Sequence, residues 1–306
     1  MKFSHYIKRI REEGKLTQNE LLNILNKYDN QFSQLDTTTI SRWENNKTTP
    51  STSKQLLIIR ALNKNITEYL RSLSFQPLNE SDYFKVFASR TIDPYSKYIP
   101  IFKLKIHETT ISDLNIWKKI STFHNEHIKM PIDIDSYIKN RKVRLKSIYN
   151  NKYDLIGHFL YGFCTITTLK KNNNMTYLDC INKHMTINSD EIKNELLVMN
   201  VLSIYSSSPQ SQIINIIKLL QRIAITPKIK SLVITIQTKD IYDILSSLQH
   251  TTVISKGERV KYGGIKFGSH NYSYIRLLVR PEELLSIKEF INLLVHADYY
   301  LDKLIL

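Results

Sequence analysis

The sequence predicts a multidomain fold: an all-α unit of five short helices, followed by an α/β unit with a mixed sheet and a C-terminal helix. Three observations predict it. The chain has 306 residues, more than one hydrophobic core ordinarily sustains. Up to residue 74 the apolar positions recur at helical spacing, whereas β-branched and aromatic runs dominate after a polar, proline-containing stretch. Those later runs alternate with helical segments, which is the order of a mixed sheet. The expected boundaries are residues 1–74 for the helical unit, 75–83 for a linker and 84–306 for the α/β unit.

The helical unit reads as follows. Phe3, Tyr6, Ile7 and Ile10 share one face of a first helix over residues 3–13, with Gly14 as its stop. Thr17 and Glu20 have capping-box spacing, so a second helix starts at Gln18 and turns Leu21, Leu22, Ile24 and Leu25 into a small core. Asp36 is a good N-cap for a third helix, on which Ile40 and Trp43 share one face. Thr37, Thr38, Ser41, Arg42 and Asn45 fall on the other, and short hydrogen-bonding side chains with one arginine suit base edges in a major groove. Ser51 caps a fourth helix carrying Leu56, Leu57, Ile59 and Leu62, and residues 66–73 give a fifth.

The run LTQNEL, then TTTISRWENNK, then Pro50 before another apolar helix resembles the Xre/Cro/CI type of helix-turn-helix repressor domain over about the first 74 residues. The resemblance implies double-stranded DNA as partner, with Thr37, Thr38, Ser41 and Arg42 at bases and Gln18, Asn45 and Lys47 at phosphates. Two positions depart from the family. The turn between Leu25 and Leu35 is longer by about eight residues than the motif's short turn, and Asn46 replaces the usual glycine. Asn is the residue that best tolerates a left-handed conformation after Gly.

Composition bounds the rest. The net charge of +15 divides into +5 for residues 1–74 and +10 for the remainder, so both parts are drawn to polyanions. Cys164 and Cys180 are too few for a disulfide framework and fit a reducing compartment. No apolar leader and no stretch of 18 uninterrupted apolar residues is present, so the expected setting is cytoplasmic, without membrane.

The second unit is expected to open with a strand at residues 102–107 and helices at 112–127 and 134–146. Strands follow at 146–149, 155–157, 159–169 and 195–205, the last a nearly unbroken apolar run, ELLVMNVLSIY. Then come a helix at 210–225, a strand at 231–237, a helix at 240–249 and strands at 251–256 and 272–279. This order, together with the segment DILSSLQHTTVISKGERVKYGGIKF, resembles the GNAT acyltransferase fold over about residues 84–280.

In that family, glycines after the fourth strand let backbone N–H groups cradle the pyrophosphate of acetyl-CoA. Here the loop is Ser206, Ser207, Ser208, Pro209, Gln210, Ser211 and Gln212, without glycine and with one donor removed by proline. Tyr242 could match a general-acid tyrosine, although the chain has 18 tyrosines. His124, Glu126 and His127 lie within one turn but lack the i,i+4 spacing of a metal pair. No Ser/His/Asp order stands out, so no catalytic, cofactor or metal residue is expected, and no cofactor. The final helix, residues 281–304, carries Leu284, Ile287, Ile291, Leu294 and Leu301 at three-four spacing, a candidate surface for a homodimer.

The function expected from these residues is a sequence-specific DNA-binding transcription regulator that is not an enzyme. Its second unit would dimerise, sense a small molecule or meet a protein effector. One alternative is a DNA-tethered GNAT-type acyltransferase, and another is an antitoxin-like partner-binding protein.

Overall fold

The computed structural model describes residues 1–73, 75–77, 103–109, 113–128, 130, 133–140, 142–172, 175–186 and 195–305. Most of the expected linker, residues 78–83, lies outside them, as do Phe102 and Ser112, the expected starts of the first strand and helix after it.

Five helices open the chain: α1 (Phe3–Glu13), α2 (Gln18–Tyr28), α3 (Thr37–Glu44), α4 (Thr52–Ala61) and α5 (Ile66–Arg71). Helix α1 stops at Gly14, but the left-handed residue is Lys15, φ 51°, whose N–H donates to the carbonyl of Glu12. The capping box of α2 is complete, Thr17 Oγ1 accepting from Glu20 N at 3.1 Å and Glu20 Oε2 from Thr17 N at 2.7 Å. The long turn that follows contains a 3₁₀ turn, Asn30–Phe32, and Phe32 is fully buried, so the extra residues add a core side chain. Asp36 caps α3 by accepting from Thr39 N at 2.7 Å, and Asn46 closes it with φ 55°. Within this core Phe3 meets Trp43 and Tyr69 edge-on at 6.5 and 6.2 Å, and Tyr6 meets Tyr69 at a tilt at 4.7 Å.

Helices α6 (Leu114–Phe123) and α7 (Ile134–Lys139) come next, α6 running into a π-helical turn, His124–Ile128. The strands are β1 (Lys105–Thr109), β2 (Arg144–Tyr149), β3 (Leu155–Thr165), β4 (Leu197–Ser206), β5 (Ile229–Ile236), β6 (Thr252–Lys256), β7 (Arg259–Val260), β8 (Ile265–Phe267), β9 (His270–Tyr272) and β10 (Ile275–Val279). Seven of them make one sheet in the order β1-β2-β3-β4-β5-β10-β6, and β7-β9-β8 make a small second sheet. Within the large sheet β4·β5 is parallel and every other pair is antiparallel.

Several segments differ from the sequence expectation. Helix α7 ends at Lys139 because Asn140 Nδ2 and the N–H of Lys142 close it on the carbonyls of Ser136 and Tyr137, which frees Arg144 to start β2. Strand β3 is continuous and stops at Thr165, whose hydroxyl accepts from Thr168 N at 3.1 Å and starts helix α8 (Ile166–Lys171), where a strand to Leu169 is expected. Helix α9 (Tyr177–Lys183), capped by Thr176, is unforeseen, although Thr176 and Asp179 carry a capping spacing.

Helix α10 (Pro209–Ile225) joins β4 to β5, and α11 (Lys239–Ser246) follows β5. The single C-terminal helix expected over residues 281–304 is three: α12 (Pro281–Leu285), α13 (Lys288–Val295) and α14 (Ala297–Leu304). Ile287 is extended, φ −66° and ψ 125°, and breaks the run. Leu284, Ile291 and Leu294 are buried in the single chain, so the face expected to join two subunits is already covered.

The chain divides into two compact units. The first combines residues 1–78 with Leu220–Pro227 and Leu285–Ala297; the second holds the sheet and the remaining residues. Within the first, α13 packs on α5, and Arg60 Nη1 and Nη2 donate to the carbonyls of Thr226 and Ile223 at 2.9 and 2.8 Å. Among the described residues no helix is long and apolar enough to cross a membrane.

Candidate active site

The large sheet opens at its centre. Strand β4 pairs in parallel with β5 from Leu197↔Ile229 to Val201↔Ile234, and there the ladder ends. Beyond that level β4 stays with β3 as far as Ser206↔Gly157, while β5 stays with β10 as far as Ile236↔Ile275. The register of β3 on β4 slips at the same place, from Tyr161↔Val201 to Leu160↔Ser203, so Leu202 is the extra residue of a bulge. A bulge bends its strand and increases its twist, which turns β4 away from β5. Thr235 Oγ1 donates to the carbonyl of Val201 at 3.3 Å at the base of the opening.

The loop from β4 into α10 is closed on itself. Ser207 N donates to Ile156 O at 2.8 Å, Ser208 N to Ser211 Oγ at 3.3 Å, Ser211 N to Ser208 Oγ at 3.2 Å and Gln212 N to Ser208 O at 3.0 Å. Four amides at the helix start are thus committed within the protein, and Pro209 offers none. Asn215 Nδ2 ties α10 to the carbonyls of His158 and Tyr205 at 3.2 and 2.9 Å. Gly157 permits this approach, since a Cβ there would stand 3.2 Å from that of Ser211.

A buried polar cluster lines the β4 side of the opening. Ser203 Oγ lies 2.9 Å from His124 Nε2 and 2.8 Å from His158 Nε2. A hydroxyl has one proton, so Ser203 donates to one imidazole and accepts from the other. Phe123 meets the His158 ring edge-on at 5.1 Å, and Tyr205 stacks on it at 5.8 Å. Burial pushes the pKa of His124 down to about 4; burial, with the neighbouring His124, pushes His158 down to about 3. Both rings are therefore neutral near pH 7, and both are too weakly basic to take a proton efficiently there.

The residues singled out in the sequence are placed as follows. Thr37, Thr38, Arg42, Asn45 and Lys47 are exposed, and Ser41 is half-buried. Gln18 Nε2 donates to Glu44 Oε2 at 2.8 Å, and the same carboxylate takes Arg11 Nε at 2.5 Å, so Gln18 is held in a partly buried network. Asn45 Nδ2 donates to Ser41 O at 2.9 Å. Tyr242 is half-buried on α11, and its hydroxyl has no hydrogen-bond partner among the described residues. His124 turns inward to Ser203 while Glu126 is exposed, so these two do not converge, and the side chain of His127 lies outside the described residues. His158 and Ser203 are absent from the sequence-derived candidates. Their one signal is the polar Asn200 and Ser203 inside an otherwise apolar strand.

No family model matches the sequence, and no curated protein matches it. Among solved structures the chain is similar to FeeM, an N-acyl amino acid synthase from uncultured soil microbes, at 16% identity and a TM-score of 0.38, over 60% of this chain and 94% of that one. It is similar to the AHL synthase LasI at 8% identity and TM-score 0.35, over 61% and 95%. It is also similar to NAA60 from Arabidopsis thaliana bound to acetyl-CoA, at 10% identity and TM-score 0.33, over 58% and 98%. The class these findings define is one of fold: a helical N-terminal region followed by a mixed α/β part that resembles the GNAT acetyltransferase fold.

The expectation of a DNA-binding transcription regulator that is not an enzyme is corrected by these comparisons, since the structures named are two synthases and a protein solved with acetyl-CoA. Of the readings expected from the sequence, the acyltransferase alternative is the one these structures favour. The expectation that the chain is not an enzyme rested on the missing glycines of residues 206–212.

Proposed function

We propose that this chain is an acyltransferase that moves an acyl group from a thioester to an amine at the opening between β4 and β5. The observation that carries this reading is the end of the parallel ladder at Val201 and Ile234. Past it, the facing edges of two strands offer backbone donors and acceptors no longer committed to each other, and an extended thioester arm can add to such an edge as a strand would. N–H groups on that edge can donate to the thioester carbonyl as it gains negative charge, the usual means of stabilising acyl transfer. The amine nitrogen forms the new C–N bond, the thiolate leaves with the C–S electrons, and the proton the nitrogen sheds passes to that thiolate, which departs as the free thiol. His124 and His158, held near pKa 4 and 3, serve as uncharged wall groups, and the amine reacts as its free base.

The N-terminal unit, which resembles an Xre-type helix-turn-helix, is proposed to tether this activity to double-stranded DNA. The exposure of Thr37, Thr38 and Arg42 on α3 supports base contacts, and that of Asn45 and Lys47 supports phosphate contacts. Gln18 is bound to Glu44 and reaches a phosphate only by leaving it.

The experiment is thiol release from acyl-thioester donors in the presence of a panel of amines, with product mass measured. Acylated amine above the hydrolysis background supports the proposal, and thiol release no faster than without protein, for every donor and amine, defeats it. For the tether, Arg42→Ala is expected to cost about 1–3 kcal/mol on one base position. Lys47→Ala is expected to weaken all sequences alike and to lower the salt slope by about one. Equal loss of sequence preference in both variants would remove the assignment.

A further inference from the structure

We propose that Arg276 is the anchor for a carboxylate on the acyl acceptor, so that the acceptor is an amine that also carries a carboxyl group, as a free amino acid does. This rests on the acyl-transfer reading for the word acceptor, but the site itself stands on separate observations.

Arg276 lies on β10 opposite Thr235 of β5, one residue past the last β4·β5 pair, and its guanidinium reaches back across β5 to Asn200 of β4, the residue just before that last pair. Its side chain belongs to a residue only 1% exposed, among the largest fully buried in the protein. Among the described residues its one hydrogen bond is to a neutral acceptor: Nη2 donates to Asn200 Oδ1 at 2.5 Å. Asn200 is itself held from the other side, with Nδ2 at 3.4 Å from Asn182 Oδ1 and 3.5 Å from Met185 Sδ. Nε of Arg276 is buried and has no partner among the described residues. The charged or titratable neighbours that act on it are Tyr274 and Tyr137; among the described residues no carboxylate pairs with it.

A guanidinium removed from water without a counter-charge is strongly unfavourable, and proteins seldom keep one unless an anion arrives to meet it. Burial accordingly pulls this group down to about 10, a range in which it still carries its charge at neutral pH. The fork of Nε and Nη donors matches the two oxygens of a carboxylate, whereas one carboxamide oxygen occupies a single donor. A phosphate on the thioester donor is the other oxyanion that could supply this charge. The observations favour the carboxylate, because the guanidinium of Arg276 meets Asn200 near the end of the β4·β5 ladder rather than the start of α10, where a nucleotide phosphate is ordinarily met.

The experiment uses the full chain and no acyl donor, so its outcome is independent of whether transfer occurs. Thermal unfolding is followed with glycine, L-leucine and L-tyrosine, with the carboxamide of each, and with inorganic phosphate, on wild type, Arg276→Met and Arg276→Lys. At least one free amino acid is expected to raise the wild-type Tm with an affinity about 100-fold above that of its carboxamide. Arg276→Met should lose that response and, relieved of an unpaired buried charge, melt no lower than wild type without ligand. Arg276→Lys, which keeps the charge but not the fork, should retain a weakened preference for the carboxylate. If Arg276→Met fails to fold while no amino acid stabilises the wild type, the arginine is a structural strut and the proposal is wrong. Stabilisation by phosphate alone, or equal response to acid and amide, overturns it as well. A carboxylate response without any acyl transfer would leave this site standing and remove the reaction proposed for it.

Discussion

Lowering the pH from 7.5 to 5 should cost the sheet-bearing unit about 4 kcal/mol through His124 and His158 alone. Both rings are buried, and their folded pKa values lie near 4 and 3, against about 6.5 for an exposed imidazole. The sign follows from proton uptake: between pH 6.5 and 4 the unfolded chain binds protons that the folded site refuses, so stability falls as the pH falls. The contribution is complete above pH 6.5 and is lost progressively on acidification, until the folded rings themselves titrate near 4 and 3. At pH 5 the linkage amounts to about 2 kcal/mol per ring, an order-of-magnitude figure. Urea unfolding followed by Trp117 fluorescence in a Trp43→Phe background reports on this unit, because Trp117 packs in its core. His124→Gln and His158→Gln keep a polar partner for Ser203 and should each remove about half of the pH-dependent loss. Identical losses between pH 7.5 and 5 for wild type and both variants would refute the assignment of buried neutral rings.

Two further outcomes are expected from the same measurements. Arg60→Ala should destabilise the first unit by about 2–4 kcal/mol, since its guanidinium satisfies the carbonyls of Ile223 and Thr226 at the C-terminal end of α10; a change under about 0.5 kcal/mol in the urea midpoint analysis would contradict this. Gly162→Ala should cost about 1–3 kcal/mol, because a Cβ there would stand 2.6 Å from the backbone carbonyl of Lys142 and 2.5 Å from Met185 Cγ. Met185→Ala in the same chain should recover only part of that loss, as the carbonyl stays in place.

Local chemistry made the first unit legible from the sequence. The Thr17–Glu20 box, the Asp36 and Ser51 caps and the left-handed Asn46 each depend on residues within four positions of one another. The β4 strand was legible because a long apolar run has few alternatives, and α10 because its stripe is strongly periodic. What stayed hidden depends on distant partners. Ser203 reads as filler in an apolar strand until residues 124 and 158 arrive beside it. Arg276, between Ile275 and Leu277, is not singled out by the sequence, yet β5 and β6 flank its strand and the side chain is buried. The opening of the sheet is a difference between two registers, and no single stretch of sequence records it. The β-branched run at Ile166–Thr168 misled in the opposite direction, because one threonine cap outweighed strand propensity.

The first unit is assembled from three separated stretches of chain, and this sets an order on its birth. Arg60 waits for carbonyl partners 163 and 166 positions later, and the carbonyls of Gln76 and Phe75 wait for Asn292 and His296 a further distance along. At synthesis rates of about 5–20 residues per second, roughly 10–30 s separate the appearance of Arg60 from that of Ile223. Throughout that interval the nascent helices carry a cation that has nowhere to go inside and a face of α5 still uncovered by α13. A fragment ending at residue 78 would be fixed permanently in that state, so transplanting the N-terminal helices alone into another protein should yield a chaperone client and not an independent module.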